Sequence, residues 1–477
     1  MLWTCLLFHR LPLEVFERGS ADARPLLVTS LGNRPWIVAA NAAAIQQGIQ
    51  PGMNIGAALV LIPDALIQQR SVEDEQQALV NLAVWAEQFT PTRSVVSPMA
   101  VLLEIGGCLG YFGGLDVLLG QLRPGITELG YAPIIATAPT PTAALLLARA
   151  GRRVNVLDPT TAVGELMTVP LHCIDHSAKA IAALRATGAR TIGDCLRLPR
   201  DGVARRYGQA LLDIIGRALG DIPDPQVPFV SPEFYAGRLA MPCPVWDAEA
   251  LLFAIHRLQQ EMCGWLRGRY RGVMRLQLEL IHEDTTPTFL TLNLSAPTRQ
   301  PDDLCLLWRE RLARLTLPDR VEAIALSTLE TRPLNSRDLS LLPGAQKGHD
   351  ESASLMDRLR SRLGDDAVTT LQPHPDHRPE RAWSEGDRVV SDHLSPDAPR
   401  PIWLLPEPRA LEPNSFTSGK HGPWVLMDGP ETLEAGWWDG GDMSRDYYVV
   451  RNPHGQTLWI YRDRQADRKW FVHGLFA

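Results

Sequence analysis

Short apolar and β-branched runs at residues 2–8, 25–30, 35–41, 94–105 and 132–138 predict strands, with helical repeats between several of them. In "EDEQQALVNLAVWAEQF" (73–89), Leu79, Leu82, Ala83 and Ala86 recur at helical spacing on one face, and "GGLDVLLGQLRPGITELG" from residue 113 repeats the habit. Both read as helices packed on a sheet. From Leu171 to about Gly220 the pattern is helical throughout, and the Gly and Pro of "RALGDIPDPQVP" mark a boundary near 220–235. A strand at 237–245, a helix from Asp247 to about Arg267, strands 272–282 and 288–294, a helix 301–315 and a strand 320–329 follow. That βαββαβ order predicts a small sheet with helices on one face. "HPDHRPERAWSEGDRVVSDHLSPDAPRP" is polar and proline-bearing and reads as a linker, and the remainder to residue 477 alternates strand-like runs with turns such as "NPHGQ". The expected fold class is α+β and multidomain, with a small β-rich module at the end.

Composition narrows the function classes. A chain of 477 residues exceeds one compact core and suggests about three or four domains. Apolar residues at 45% and charged residues at 21% are ordinary for a globular protein. The formal net charge of -7 gives no global field toward nucleic acid, so any such affinity has to be local. One local block qualifies: between His176 and Gly220, eight Lys or Arg stand against three Asp, a net +5. The seven cysteines are scattered and never spaced C-x-x-C, which argues against a disulfide framework and a zinc site and fits a reducing cytoplasm. The apolar opening "MLWTCLLFHR" is too short for a signal peptide and reads as a first strand, and no run approaches a membrane span. No pattern calls for a cofactor.

Four stretches, in order, resemble one family, the Y-family translesion DNA polymerases. "AANAAAIQQGIQPGM" is similar to the fingers helix and its exit turn, "AVLLEIGGCLGYFGG" to the palm hairpin, "LRATGARTIGDCLRLP" to the helix-hairpin-helix thumb, and the βαββαβ block to the little finger that grips duplex DNA. The resemblance implies palm and fingers over 1–168 (fingers about 10–75), thumb 169–232, little finger 236–333, a clamp-motif-like segment and linker over 334–400, and an interaction module over 401–477. "DRLRSRLGDDAV", "HRPERAW", "RDYYVV" and "KWFVHGLFA" further resemble the C-terminal region of the ImuB branch of that family. The branch is regarded as having lost catalysis and as serving as an adaptor in an SOS-induced mutagenesis complex.

Phosphoryl transfer onto a primer uses two Mg²⁺ ions about 3.5–4 Å apart, held by hard oxygen ligands. By the resemblance, the first carboxylate position falls at Phe8 and the adjacent pair at Met99 and Ala100, none of which can bind magnesium. The triphosphate-binding Tyr and Arg of the fingers map to Ala42 and Ile45, and the palm lysine maps near Thr142. No metal, nucleotide or catalytic residue is therefore expected. Glu104 and Asp116 are the nearest carboxylates, and Glu104 lies roughly 13 Å along the strand from Ala100 at about 3.3 Å per residue. An active polymerase with relocated ligands is the alternative, and a general DNA-binding structural protein is another.

"RGRYRGVMR" offers Arg267, Arg269, Arg271 and Arg275 around Tyr270 as phosphate contacts, with Arg299 a further candidate; a solvated basic turn is the other reading. In the thumb, Lys179, Arg185, Arg190, Arg205 and Arg206 suggest a phosphate track, while "LHCIDHS", lacking glycine and carrying Asp175, predicts reduced grip. His172 and His176 lack a third ligand nearby. "RDLSLLPG" resembles a sliding-clamp peptide through Leu339, Leu341 and Leu342, with Asp338 in place of glutamine. Trp437, Trp438, Tyr447, Tyr448, Trp459, Trp470 and Phe471 are candidates for core or docking. The resemblance implies primer–template DNA, the sliding clamp, a RecA-like protein (ImuA) and an error-prone polymerase alpha subunit as partners.

Overall fold

A computed structural model describes the chain except residues 20–23, 335–344, 370, 375, 386–398, 412–423, 466–468 and 477, and for 345–352 and 365 it describes the backbone alone. The chain folds as two compact units, Met1–Arg362 and Leu363–Ala477. It is an α+β protein whose second unit is β-rich.

The first sheet is built on β1 (Trp3–Leu7), every residue of which is buried. A strand buried on both faces reads as a continuous apolar run, which is why residues 2–8 show no alternation. Helix α1 (Leu11–Glu17) follows, then β2 (Leu26–Thr29), β3 (Ile37–Ala40), α2 (Ala42–Gln46), α3 (Ile55–Leu61) and β4 (Leu66–Gln69). These three strands form a separate sheet in the order β3-β2-β4. Helix α4 (Val72–Trp85) starts where the Ser71 side chain accepts a hydrogen bond from the Asp74 amide at 3.1 Å, with Glu73, Asp74 and Glu75 in the positive first turn.

The run at 94–105 holds a turn followed by a strand, as "SPMAVLLEIGG" (97–107) reads: β5 (Arg93–Val96) turns at 97–99 into β6 (Ala100–Glu104). After it come α5 (Leu109–Phe112), α6 (Leu115–Glu128), β7 (Ile134–Ala138), α7 (Pro141–Arg149) and α8 (Pro159–Met167). The sheet order is β5-β6-β1-β7, with β1 antiparallel to both neighbours. Four helices, α9 (Ala178–Ala186), α10 (Ile192–Leu196), α11 (Arg200–Tyr207) and α12 (Gln209–Leu219), make up the basic block. In α12, Leu211, Leu212, Ile215 and Ala218 are buried at helical spacing and join the core beneath β1.

The βαββαβ block appears as β8 (Ala236–Val245), α13 (Leu251–Gly268), β9 (Arg271–His282), β10 (Thr288–Thr298), α14 (Pro301–Leu312) and β11 (Val321–Pro333), in the sheet order β10-β9-β11-β8. Helix α13 begins four residues later than its sequence signal, and β10 and β11 end four residues later than theirs, past register shifts that local alternation does not reveal. Helix α15 (Ala345–Leu363) follows. Its Asp357 carboxylate accepts from the Ser295 amide at 2.8 Å, covering part of the β10 edge.

Helix α13 is seated on the first sheet's helices by close steric fit. A Cβ on Gly264 would lie 2.3 Å from Cδ1 of Trp85, and one on Gly125 would lie 2.6 Å from Cζ2 of the same indole, so two glycines make the slot that the indole fills. Beside it, Arg18 of the α1 end pairs with Glu261 of α13, both buried. Arg18 Nε also donates to the Leu129 carbonyl at 3.0 Å, and the Tyr235 hydroxyl donates to Glu261 Oε2 at 3.0 Å. Burial opposes the Arg18 charge, yet Glu261 and Tyr131 together hold the guanidinium above its ordinary value.

In the second unit, β12 (Leu371–Pro373) pairs with β13 (Trp383–Glu385), and β14 (Trp403–Ala410), β15 (Val425–Ala435), β16 (Met443–Arg451), β17 (Thr457–Asp463) and β18 (Trp470–Leu475) form a sheet in the order β14-β18-β17-β16-β15. The stretch around 374–385, expected as linker, is tied into this unit. Arg378 is buried and pairs with Asp376 and with Asp439, each at 2.7 Å. One guanidinium bridging two carboxylates orders a segment whose composition alone reads as loose.

Candidate active site and nucleic-acid interface

The β1 and β6 ends bring the three expected carboxylate positions together. Leu7 pairs with Ala100, and the Phe8 amide donates to the Met99 carbonyl at 2.8 Å. Phe8 and Ala100 are fully buried and Met99 is half-buried. The Phe8 ring turns into the core, edge-on to Tyr131 at 5.6 Å. The three side chains at these strand ends are thus apolar and offer a divalent cation no carboxylate oxygen.

Glu104 stands at the other end of β6, paired with Trp3. Its Oε1 accepts from the amides of Leu2 at 3.2 Å and Gly106 at 3.1 Å. A Cβ on Gly106 would lie 2.8 Å from that oxygen. The carboxylate therefore closes a turn. Asp116 is exposed in the first turn of α6. Among the described residues, no group of three or more His, Cys, Asp or Glu could hold a metal ion.

The expected nucleotide positions are equally bare. Ala42 and Ile45 are exposed on α2, whose start is capped by Asn41 accepting from the Ala44 amide at 3.0 Å. At the start of α7, the Thr140 hydroxyl accepts from the Ala143 amide at 3.1 Å and the Asp224 carboxylate accepts from the Thr142 amide at 2.9 Å. These are the donors a phosphate would seek, and the chain's own carboxylate occupies one of them.

The thumb-like helices repeat this arrangement. Between α9 and α10, Gly188 takes a left-handed φ of 95°. The Asp194 carboxylate then accepts from the Arg190 and Thr191 amides, both at 3.0 Å. Those amide bonds, Arg190 first, hold its carboxyl below the ordinary range. Two backbone donors of this hairpin are filled by the chain's own carboxylate, which leaves its exposed side-chain cations as a means of meeting phosphate. Lys179, Arg185, Arg190, Arg205 and Arg206 are all exposed, the last two in the final turn of α11. His176 is engaged with the Tyr207 carbonyl at 2.8 Å, and His172 is exposed.

The arginines of "RGRYRGVMR" do not act as one patch. Arg269 lies over the Trp265 ring at 5.0 Å, is 3.5 Å from Glu87 and donates to the Ser231 carbonyl at 3.2 Å. Arg271 donates to the Thr331 hydroxyl at 2.7 Å and its carbonyl at 2.6 Å. Both have partners within the chain. Arg275 is exposed on the open face of the sheet, in register with Asn293 and Glu330. Arg267 and Arg299 come together instead, in a hollow of about 460 Å³ also lined by Tyr111 and Tyr270. Tyr111 carried no signal in the sequence, because its partners lie more than 150 residues away.

Asp338, Leu339, Leu341 and Leu342 lie outside the described residues. In the second unit the aromatics separate into two groups. Tyr447 and Trp459 stack at 4.0 Å in the interior, and Tyr461 stacks on Phe471 at 5.1 Å. Tyr448 and Trp470 meet at 5.3 Å. Trp437 and Trp438 are exposed and perpendicular at 5.5 Å, with Arg378 over Trp438.

Residues 14–149 match the impB/mucB/samB family (IMS). Over 458 residues the chain is 27% identical to Protein ImuB of Caulobacter vibrioides, in strains NA1000 / CB15N and ATCC 19089 / CIP 103742 / CB 15, covering 90% of this chain and 100% of the relative. Among solved structures, the insertion ternary complex of Dbh DNA polymerase is 18% identical with a TM-score of 0.41, and DinB from Sulfolobus solfataricus is 18% identical with a TM-score of 0.39. Each covers 69% of this chain and 98% of the other. No helix among the described residues is long and apolar enough to cross a membrane.

Proposed function

We propose that the chain, an ImuB-like relative of the Y-family DNA polymerases by its family match and its likeness to Protein ImuB, is a non-catalytic, DNA-binding adaptor in SOS-induced translesion synthesis. The observation that carries the reading is the meeting of Phe8, Met99 and Ala100 at the strand ends where the family resemblance expects carboxylates. Two-metal catalysis needs anionic oxygen at that point, and apolar side chains supply none. Asp224 at the α7 start and Asp194 in the thumb-like hairpin support the same view, since each would repel a phosphate from donors it already fills.

On this reading, primer–template DNA is held by exposed cations, chiefly Arg205, Arg206 and Arg275. The clamp peptide, with Asp338, Leu339, Leu341 and Leu342, and the second unit connect the DNA to the sliding clamp, a RecA-like ImuA protein and an error-prone polymerase alpha subunit in the cytoplasm. Trp437 and Trp438 are the docking residues, being exposed while Tyr447 and Trp459 make the core.

The test is a primer–template with labelled ends, incubated with the purified chain, all four deoxynucleotides and Mg²⁺ or Mn²⁺. Binding by anisotropy without primer extension is expected. Extension abolished by changing Glu104 or Asp116 would establish the active polymerase with relocated ligands instead.

A further inference from the structure

Helix α13 ends at Gly268, Arg269 caps it, and Tyr270 then takes a φ of 54°, the one positive φ among the described non-glycine residues. After a helix C-cap this left-handed position favours glycine, which has no Cβ to collide with the backbone. A bulky residue there is an outlier. Folding does not explain the choice by burial, because the ring is 63% exposed. Strain held at an exposed aromatic points to a role outside folding.

The ring borders the hollow described above. Across it stands Tyr111, 77% exposed, whose phenol is raised above its ordinary value by a hydrogen bond with Tyr270. Tyr111 is mounted on a fixed aromatic column: its ring meets Phe112 at 5.1 Å, Phe112 meets Phe89 at 5.9 Å, and Phe89 meets Trp85 at 5.2 Å. Arg267 and Arg299 also line the hollow. Neither makes an ion pair among the described residues, whereas the lining carboxylate, Glu87, is already shared by Arg93 and Arg269.

Two exposed aromatic faces beside two uncompensated guanidinium groups match the chemistry of an unpaired nucleotide strand, whose bases stack and whose phosphates take Arg. We propose that this hollow binds a short stretch of single-stranded nucleic acid, a base on Tyr270 or Tyr111 and flanking phosphates on Arg267 and Arg299. It lies beyond the Glu104 end of β6, past the roughly 13 Å that five strand residues span from Ala100. It is therefore separate from the strand ends where the polymerase resemblance expects its metal site. The site shares with the proposed function only its class of ligand.

The test uses fluorescein-labelled oligothymidylate and, in parallel, a blunt duplex, each titrated by anisotropy at several salt concentrations. Tyr270→Gly removes the ring and relieves the backbone, so the thermal midpoint should hold or rise while oligothymidylate binding weakens about tenfold or more. Arg267→Gln with Arg299→Gln should lower the salt slope for the single strand by about 1.4, from two lost phosphate contacts. Duplex affinity should be unchanged by Tyr270→Gly. Single-strand affinity within twofold of wild type in both, or no oligothymidylate binding by the wild type, overturns the proposal. If oligothymidylate binds through the hollow but the duplex does not bind, the hollow stands and the primer–template reading falls.

Discussion

Glu261→Gln probes the joint that fixes α13 on the first sheet's helices. Both oxygens of Glu261 are committed, one to Arg18 and one to the Tyr235 hydroxyl, and the residue is fully buried. The amide keeps the volume and most of the hydrogen bonding, so the perturbation is the loss of a charge. It leaves the Arg18 guanidinium buried without its carboxylate and near Arg257, which burial and the Arg18 charge already push down to about 10. Removing one partner of a buried pair costs about 3–5 kcal/mol, against about 0–1 kcal/mol for a surface pair. We expect about 3 kcal/mol from urea unfolding, with faster amide exchange along 251–268. The paired change Arg18→Met with Glu261→Met should be close to neutral, because it also removes the desolvation of both charges. A loss below about 1 kcal/mol for Glu261→Gln, with the double variant additive, would mean that the pair is solvated and the α13 seating is not as described.

Three further outcomes follow from the same physics. Burial pushes the Glu14 carboxyl up to about 7 from 4.5, against the weaker pull of the Ala132 amide on it. The unfolded chain ionises near 4.5 while the folded chain holds its proton, so stability should fall between about pH 4.5 and 7 by roughly 3 kcal/mol, and Glu14→Gln should flatten that profile in urea titrations. His473 is kept neutral down to about 4 by burial, with Glu380 opposing and Arg445 assisting; stability of the β-rich unit should therefore be full above pH 6.5 and decline toward pH 4 in thermal scans, a decline that His473→Gln, if it folds, should remove. Arg205→Gln with Arg206→Gln should reduce the salt slope for duplex DNA by about 1.8 without shifting the thermal midpoint; an unchanged slope would remove these residues from the phosphate track.

Much of the architecture was legible because its signals are local. The unbroken apolar run of β1, the βαββαβ order and the helical basic block all follow from periodicity and turn residues. The turn at 97–99 was legible too, because Ser97 and Pro98 interrupt the apolar residues on either side of it. The apolar residues at the strand ends were visible through resemblance, and their meeting follows from the β1–β6 register. In the basic turn, Arg269 meets Glu87 and Trp265, and Arg271 meets Thr331, partners that spacing along the chain cannot reveal. Arg378 escaped for the same reason, since Asp439 lies 61 residues away and turns an apparent linker into part of a folded unit. Tyr270 is the sharpest case. Its φ of 54° is a property of the folded backbone, which no spacing of residue types along the chain reveals.

The claim on which the functional reading depends is that the strand ends at Phe8, Met99 and Ala100 hold no divalent metal. Mn²⁺ titration followed by electron paramagnetic resonance, on the chain with primer–template and a deoxynucleotide, measures this directly. The prediction is no bound Mn²⁺ beyond what DNA and nucleotide hold without protein; one or two additional tightly bound ions per chain would contradict it.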